Sequence, residues 1–367
     1  MISGTSIDGV DTALIETDGY EYVKPLAFMP HSYDADFRER LRYCFGKREG
    51  ACDAEVAVVE QDFTELHAEV ARRFLAEHDL EPEDIDLIGF HGQTLWHRPE
   101  VGETVQIGDG ALLAMLTGIP VVNDFRTADV KAGGHGAPLV PLYHRALAAD
   151  IAKPVAIVNI GGVSNITWIG DGQDDAILAF DTGPGNALID DWMLRHTGQP
   201  YDAAGGLAAT GAVDGAKVAQ FMDHPFFAAT PPKSLDRDVW QNFFPEQLDV
   251  ADGVATLTMM TARAIASALR HLPQPPRRLY LTGGGRHNLT LMRWIGELAD
   301  LPVDSVDMLG WSGDGLEAEA FGYLAVRSLL GEPLSVPGTT GAQCPTLGGR
   351  LHYPPTMMAD DYRRVGT

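Results

Sequence analysis

The clearest apolar rhythm in the chain runs through Val56, Val59, Phe63, Leu66, Val70 and Phe74, whose spacings of three and four predict a helix over 56–75. Upstream, Thr12–Ile15 and Tyr22–Met29 read as strands and Asp36–Phe45 as a helix. Leu87–Phe90 is a short buried-strand pattern ending at His91-Gly92-Gln93-Thr94. From about 94 to 137 the rhythm fades into glycine, polar and turn residues, which predicts a functional insertion. A helix over Leu139–Ala148 follows. Beyond Asp150–Pro154, the runs Val155–Val158, Asn165–Ile169 and Ile177–Phe180 are strand candidates separated by Gly161-Gly162 and Gly170-Asp171-Gly172.

Phe180-Asp181-Thr182-Gly183-Pro184-Gly185-Asn186 then reads as a strand end, a glycine turn and a helix start, with Asp181 at the tip and Asn186 capping a helix from Ala187. Helices over Val254–Leu272, Leu289–Leu298 and Leu316–Leu330 alternate with a strand at Arg278–Leu281 and a short one near Val303. Both halves follow one order, a glycine-tipped strand pair, a third strand, then helices alternating with strands. The pattern predicts a duplicated α/β unit with mixed sheets flanked by helices and ligands at strand ends between the halves. The boundaries read along the chain are 1–150 and 151–367.

Composition narrows the class. A chain of 367 residues suits two domains. Its 45% hydrophobic and 21% charged residues are ordinary for a globular protein, and no run of about 18 apolar residues suggests a membrane span. The net charge of −24 opposes attraction to nucleic acid or anionic membrane, so an anionic substrate needs a local cation. Cys44, Cys52 and Cys344 show no CxxC spacing and no secretory leader pattern is present, so a reducing cytoplasm is expected. Met1-Ile2-Ser3 leads straight into a glycine loop without room for a full strand, so a segment upstream is expected.

Three glycine turns, Gly4–Asp11, Asp181–Asn186 and Thr282–Asn288, stand in matching positions. Glycine lets several backbone N–H groups converge on phosphate, and repetition makes that reading stronger than one turn would. None has the GxxxxGK[ST] pattern, and Thr282-Gly283-Gly284-Gly285-Arg286 lacks the spacing of a dinucleotide loop. His91, His97, His135 and His144 lack HExxH spacing, which disfavours zinc. Trp96 and Trp168 are candidates for stacking on a sugar or for packing.

The blocks Gly4-Thr5-Ser6-Ile7-Asp8-Gly9-Val10-Asp11, His91-Gly92-Gln93-Thr94 and Phe180–Asn186 resemble the anhydro-N-acetylmuramic acid kinase family. Asn123–Arg126, Gly133–Pro141, Asn159–Thr167, Pro231–Ser234, Ala255–Thr258 and Thr282–Gly285 resemble it in the same order, across nearly the whole chain. The resemblance implies the duplicated actin-like (ribonuclease H-like) fold, ATP in an interdomain cleft, Mg²⁺, a cytoplasmic role in cell-wall recycling, and a homodimer.

By the same resemblance, Gly4, Thr5, Ser6, Ile7, Asp8, Gly9, Val10 and Asp11 form the first phosphate loop. Thr182, Gly183, Gly185 and Asn186 form the second, Gly283, Gly284 and Gly285 lie on the adenosine side, and Gly161 and Gly162 join the nucleotide site. No direct protein ligand to the metal is assigned. Asp236 stands in Lys233-Ser234-Leu235-Asp236-Arg237 where a small residue is expected, so that block receives no role.

The implied reaction opens the 1,6-anhydro ring of the amino sugar with water and phosphorylates O6. Water attack at an anomeric carbon needs a general base, for which Asp181 is the candidate. Glu317 resembles the family's substrate-contacting glutamate, with Glu319 as its rival. Gln93, Thr94, Asp124, Arg126 and Asp129 supply donors, acceptors and a cation suited to sugar hydroxyls and a lactyl carboxylate. An ordinary hexosamine or acyl-sugar kinase and a nucleotide-gated binding protein are the alternative readings.

Overall fold

The computed structural model describes residues 1–4, 7–172, 176–234, 240 and 243–355. Two compact units emerge, one from Met1–Ala149 with the segment from Gly315 onward, the other from Asp150–Asp314.

In the first unit β1 (Gly9–Thr17) and β2 (Val23–Ser32) pair antiparallel, and β3 (Ile88–Gly89) pairs parallel with β6 (Val121–Asn123). Residues 1–3 join these pieces. Ile2 bridges Asp11 antiparallel, the Met1 nitrogen donates to Gly89 O at 2.7 Å, and His91 N donates to Met1 O at 3.1 Å. The backbone order is therefore β2, β1, residues 1–3, β3, β6. The helix Ala54–Glu77 covers this sheet with Val56, Val59, Phe63, Val70 and Phe74 in the core, and Asp53 starts it by accepting from Glu55 N and Val56 N.

The second unit has β7 (Val155–Ile160), β8 (Val163–Ile169), β9 (Ile177–Pro184), β10 (Leu279–Thr282) and β11 (Val303–Ser305). Their order is β11-β10-β7-β8-β9, with β8 antiparallel to the rest. Apart from a sixth strand at the β6 edge of the first unit, both sheets, numbered in chain order, read third, second, first, fourth, fifth, so the duplication expected from the alternation of elements is present in the backbone. Val158, Ile160, Ile166, Phe180 and Leu281 pack against Ile265 of the helix Val250–Ala268 and Ile295 of the helix Leu289–Ala299. Burial of these aliphatic faces is what holds helices to sheet.

Several local expectations change. The stretch 94–137 is more regular than its composition suggests. It holds a hairpin of β4 (Gln93–Arg98) and β5 (Glu103–Ile107), a helix Gly110–Thr117 capped by Asp109, and the core strand β6 with Val121 and Val122 fully buried. Within this stretch only the hairpin departs from the shared order. Strand β9 continues to Pro184, so Asp181 sits inside it opposite Asn165, beside a bulge between Ser164 and Asn165. Asn186 precedes the helix Ala187–Thr197 without capping it by its side chain.

The helix Leu316–Leu330 and β12 (Arg350–His352), read along the chain as part of 151–367, belong to the first unit, where β12 pairs antiparallel with β6.

Candidate functional site

In the second unit, three glycine turns meet. The β7–β8 turn carries Gly161 and Gly162, the end of β9 carries Gly183 and Gly185, and the end of β10 carries Gly283–Gly285. Gly185 N donates to Gly162 O at 2.9 Å and Asn186 N to Gly161 O at 2.7 Å. A Cβ on Gly185 would lie 2.2 Å from Gly161 O, so any side chain there would force the turns apart. Gly283, at φ +71°, comes equally close to β7: a Cβ would meet Asn159 Oδ1 at 2.4 Å.

Asn186 stands where the three turns converge. Its Nδ2 donates to Ile160 O at 3.0 Å, and its amide atoms lie within 3.5 Å of the positions that Cβ atoms on Gly284 and Gly285 would take. The side chain that would cap a helix is used to tie turns together.

Thr182 is buried, and its hydroxyl donates to Ser164 O at 3.1 Å while accepting from the Ser164 hydroxyl. Its oxygen thus serves the sheet. Asp181 is half-buried, and its N donates to Lys233 O at 3.0 Å. The Lys233 ammonium donates to Phe226 O at 2.9 Å and lies over the Phe226 ring at 4.4 Å. Burial pushes its pKa down to about 8, helped by Arg270 and opposed by the Asp181 charge. Lys233 is therefore an electrostatic neighbour of Asp181, in a block to which sequence reasoning gave no role.

Arg286 is a second omission. Buried, it pairs bidentately with Asp314 at 2.8 and 2.9 Å, reaches Asp307 at 3.0 Å, and donates to Gly283 O at 3.0 Å. It braces the third glycine turn. Its position directly after Gly285 was the available signal.

In the first unit, Ile7 N donates to Gly4 O at 3.1 Å, and Ile7 takes a left-handed φ of 47°. Ile7 and Val10 are core residues, Asp8 is exposed, and Gly9 and Asp11 pair with Ser32 and Ile2 respectively. Thr5 and Ser6 of the expected phosphate loop lie outside the described residues, as does Asp236.

The expected sugar-binding residues separate into different environments. Gln93 is fully buried and accepts from Ser3 Oγ at 2.7 Å, which in turn accepts from Tyr33 OH at 2.8 Å. Asp129 is buried too. It accepts from Gly136 N and Thr340 Oγ1 at 2.6 Å each, and from Ser335 Oγ. That carboxylate braces the Gly134–Gly136 loop. Thr94 is half-buried and accepts from Gln106 Nε2 at 3.3 Å.

Asp124 is exposed in the left-handed region at φ 58°, on the rim of a polar hollow of about 370 Å³ that His91, Gln106, Asn123, Arg350 and His352 also line. Arg126, two residues on, is half-buried, and its Nε donates to His91 Nε2 at 3.1 Å. Burial lowers the Arg126 pKa to about 10, and the charge of Glu317 opposes that shift. At neutral pH the guanidinium keeps its charge.

The two glutamates of the last long helix differ plainly. Glu319 is buried, accepts from Tyr143 OH at 2.7 Å, and has its pKa raised by burial. Glu317 is exposed and electrostatically coupled to Arg126. Of the two, Glu317 is the one exposed to solvent. Among the described residues no cluster of three His, Cys, Asp or Glu is arranged to hold a metal ion, and no helix is long and apolar enough to cross a membrane.

A repeated five-strand order with glycine turns at the strand ends defines a duplicated α/β protein of the actin-like class. The family model described as anhydro-N-acetylmuramic acid kinase matches residues 1–354, and the chain belongs to that family. It is similar to an anhydro-N-acetylmuramic acid kinase of Rhizorhabdus wittichii, with 52% identity over 359 residues covering 96% of this chain and 98% of the relative. To one of Paramagnetospirillum magneticum the identity is 50%, over 96% and 99% of the two chains. A solved activator of 2-hydroxyisocaproyl-CoA dehydratase from Clostridium difficile aligns at TM-score 0.43 and 11% identity, over 86% of this chain and 94% of its own. The chain is therefore a kinase, and its family implies ATP and a small sugar substrate.

Proposed function

We propose that this kinase opens 1,6-anhydro-N-acetylmuramic acid with water and phosphorylates O6, yielding N-acetylmuramic acid 6-phosphate and ADP in cytoplasmic cell-wall recycling, as a homodimer. The family match along residues 1–354 carries this reading. In it, Asp181 takes a proton from water as the water oxygen bonds to C1. The C1–O6 bond breaks with its electron pair going to O6, and O6 attacks the γ-phosphorus as the bond to ADP breaks.

The phosphoryl group takes the place of the proton that an acid would otherwise give the departing oxygen. Gly161, Gly162, Gly185 and Gly283–Gly285 bring main chain to the nucleotide, and Gly4–Asp11 supplies the first phosphate loop. Gly161 and Gly162 suit a phosphate cradle because a Cβ there would meet nothing nearer than 3.7 Å, so the fold leaves room beside this turn. Mg²⁺, when bound with ATP, spreads the phosphate charge. Lys233 steadies the Asp181 carboxylate, and Arg126, Glu317 and Asp124 orient the sugar.

The test is incubation with ATP, Mg²⁺ and the anhydro sugar, followed by mass measurement of the sugar product. A gain of phosphate plus water supports the reading. Phosphate alone points to an ordinary kinase, and ATP turnover with unchanged sugar to a nucleotide-gated binding protein. Asp181→Asn is expected to bind ATP normally and lose turnover by about 10²–10⁴-fold; near-normal turnover removes Asp181 from the chemistry.

A further inference from the structure

His91 was a metal candidate by residue type, but its surroundings give it other work. It is buried, with 5% exposure, and its ring lies 4.5 Å from that of Phe321, which also meets Phe125 at 5.2 Å. Nδ1 is 2.9 Å from Gly92 O, so Nδ1 carries the proton and donates. Nε2 therefore presents a lone pair, and it accepts from Arg126 Nε at 3.1 Å. Both ring nitrogens are used, and only the neutral Nδ1–H tautomer satisfies both bonds.

The turn that holds the ring is also fixed. Gly92 has φ +76°, and a Cβ there would come 2.2 Å from Ile107 O on β5. Arg126 in turn follows the left-handed Asp124, so both partners issue from constrained backbone.

We propose that His91 is a positioning residue that sets the plane of the Arg126 guanidinium, and thereby the selectivity of the kinase for a sugar bearing a carboxylate. This rests on the sugar assignment made above. An arginine holds a carboxylate best through two parallel N–H bonds in one plane. Fixing Nε leaves the N–H groups of the two terminal nitrogens as the remaining donors and removes rotational freedom that binding would otherwise have to freeze. Burial and the neighbouring Arg126 charge both hold the His91 pKa well below its ordinary value, so the acceptor form persists through the neutral range.

The experiment measures equilibrium binding of two sugars by calorimetry, 1,6-anhydro-N-acetylmuramic acid and 1,6-anhydro-N-acetylglucosamine, which lacks the lactyl carboxylate. The wild-type protein should prefer the first. His91→Phe, which keeps a ring against Phe321 and removes the acceptor, should weaken the first about 10- to 100-fold and leave the second within about threefold, collapsing the preference. His91→Gln, whose Oε1 offers an acceptor near the place of Nε2, should restore much of it. ATP affinity and melting temperature of His91→Gln should match the wild type.

If His91→Phe keeps the full preference, or if both sugars weaken equally in His91→Phe and His91→Gln, the positioning role is wrong while the sugar assignment stands. If the wild type binds neither sugar, the assignment fails and the positioning role with it.

Discussion

In the second unit the candidate site is made of main chain, with Gly185 against Gly161, Gly283 against Asn159, and Asn186 tying the turns together. In the first unit the candidate residues act through side chains, with Arg126 held by His91, Glu317 coupled to Arg126, and Asp129 and Gln93 engaged within the fold. The two constructions have opposite sensitivities. A main-chain cradle ignores what neighbouring side chains carry and fails on any added atom. A side-chain cluster tolerates small changes of shape and fails when a proton or an acceptor is misplaced.

The largest effect should come from breaking the main-chain cradle. Gly185→Ala places a Cβ 2.2 Å from a carbonyl oxygen, and should cost about 2–3 kcal/mol of stability with at least about a tenfold loss of ATP affinity. Gly161→Ala meets nothing closer than 3.7 Å, so stability should change by less than about 0.5 kcal/mol while ATP affinity still falls. Melting curves alongside nucleotide titrations separate the two. An unchanged affinity in Gly161→Ala would show that this turn does not face the nucleotide.

Next in size is the brace in the first unit. Asp129→Ala leaves Gly136 N, Ser335 Oγ and Thr340 Oγ1 without their common acceptor, and should lower stability by roughly 3 kcal/mol. Its KM for sugar should stay near that of the wild type at a temperature where the variant is folded. A raised KM with unchanged melting would make Asp129 a substrate contact instead.

The smallest effect, taken per group and per pH unit, is a difference in acid sensitivity. His67, His91 and His144, all buried in the first unit, have pKa values pushed down by burial, His67 and His144 to about 3. Below the unfolded value near 6.5 the unfolded chain binds protons that the folded chain refuses, so stability falls as pH drops from there toward the folded values. The slope is up to about 1.4 kcal/mol per pH unit for each histidine. Hydrogen exchange followed between pH 7 and 5 should therefore show protection declining first in the first unit.

His67 is the cleanest probe, because its Nε2 has no hydrogen-bond partner and its ring packs between Phe63 and Phe90. His67→Phe should flatten the acid limb. Equal loss of protection in both units would remove the distinction.

Long periodic elements were readable before the structure, as the helix Ala54–Glu77 shows, because burial of one face leaves a 3.6-residue signature. The matching of the halves was readable from element order, since the five strands common to both sheets come in the same order. What escaped notice has physical reasons. β6 is only three residues long, too short to show alternation, and Gly110–Thr117 is apolar on most faces, so neither stood out within 94–137. β9 runs through Asp181-Thr182-Gly183-Pro184 because neighbouring β8 pairs with it there, which local turn propensity does not report. Asn186, His91 and Arg286 owe their roles to partners far along the chain, at Ile160, Arg126 and Asp314, and residue type alone does not name a partner.

The antiparallel pairing of β12 with β6 joins Arg350–His352 to Val121–Asn123 across the whole contiguous second unit. During synthesis, Asp150–Asp314 has every strand of its sheet once residue 314 has emerged. The sheet of the first unit must wait, its edge at β6 uncovered, until Arg350–His352 are made. A ribosome stalled only after residue 314 has cleared its exit tunnel, but before Arg350–His352 have, should thus present a protease-resistant second unit beside an unfinished first one.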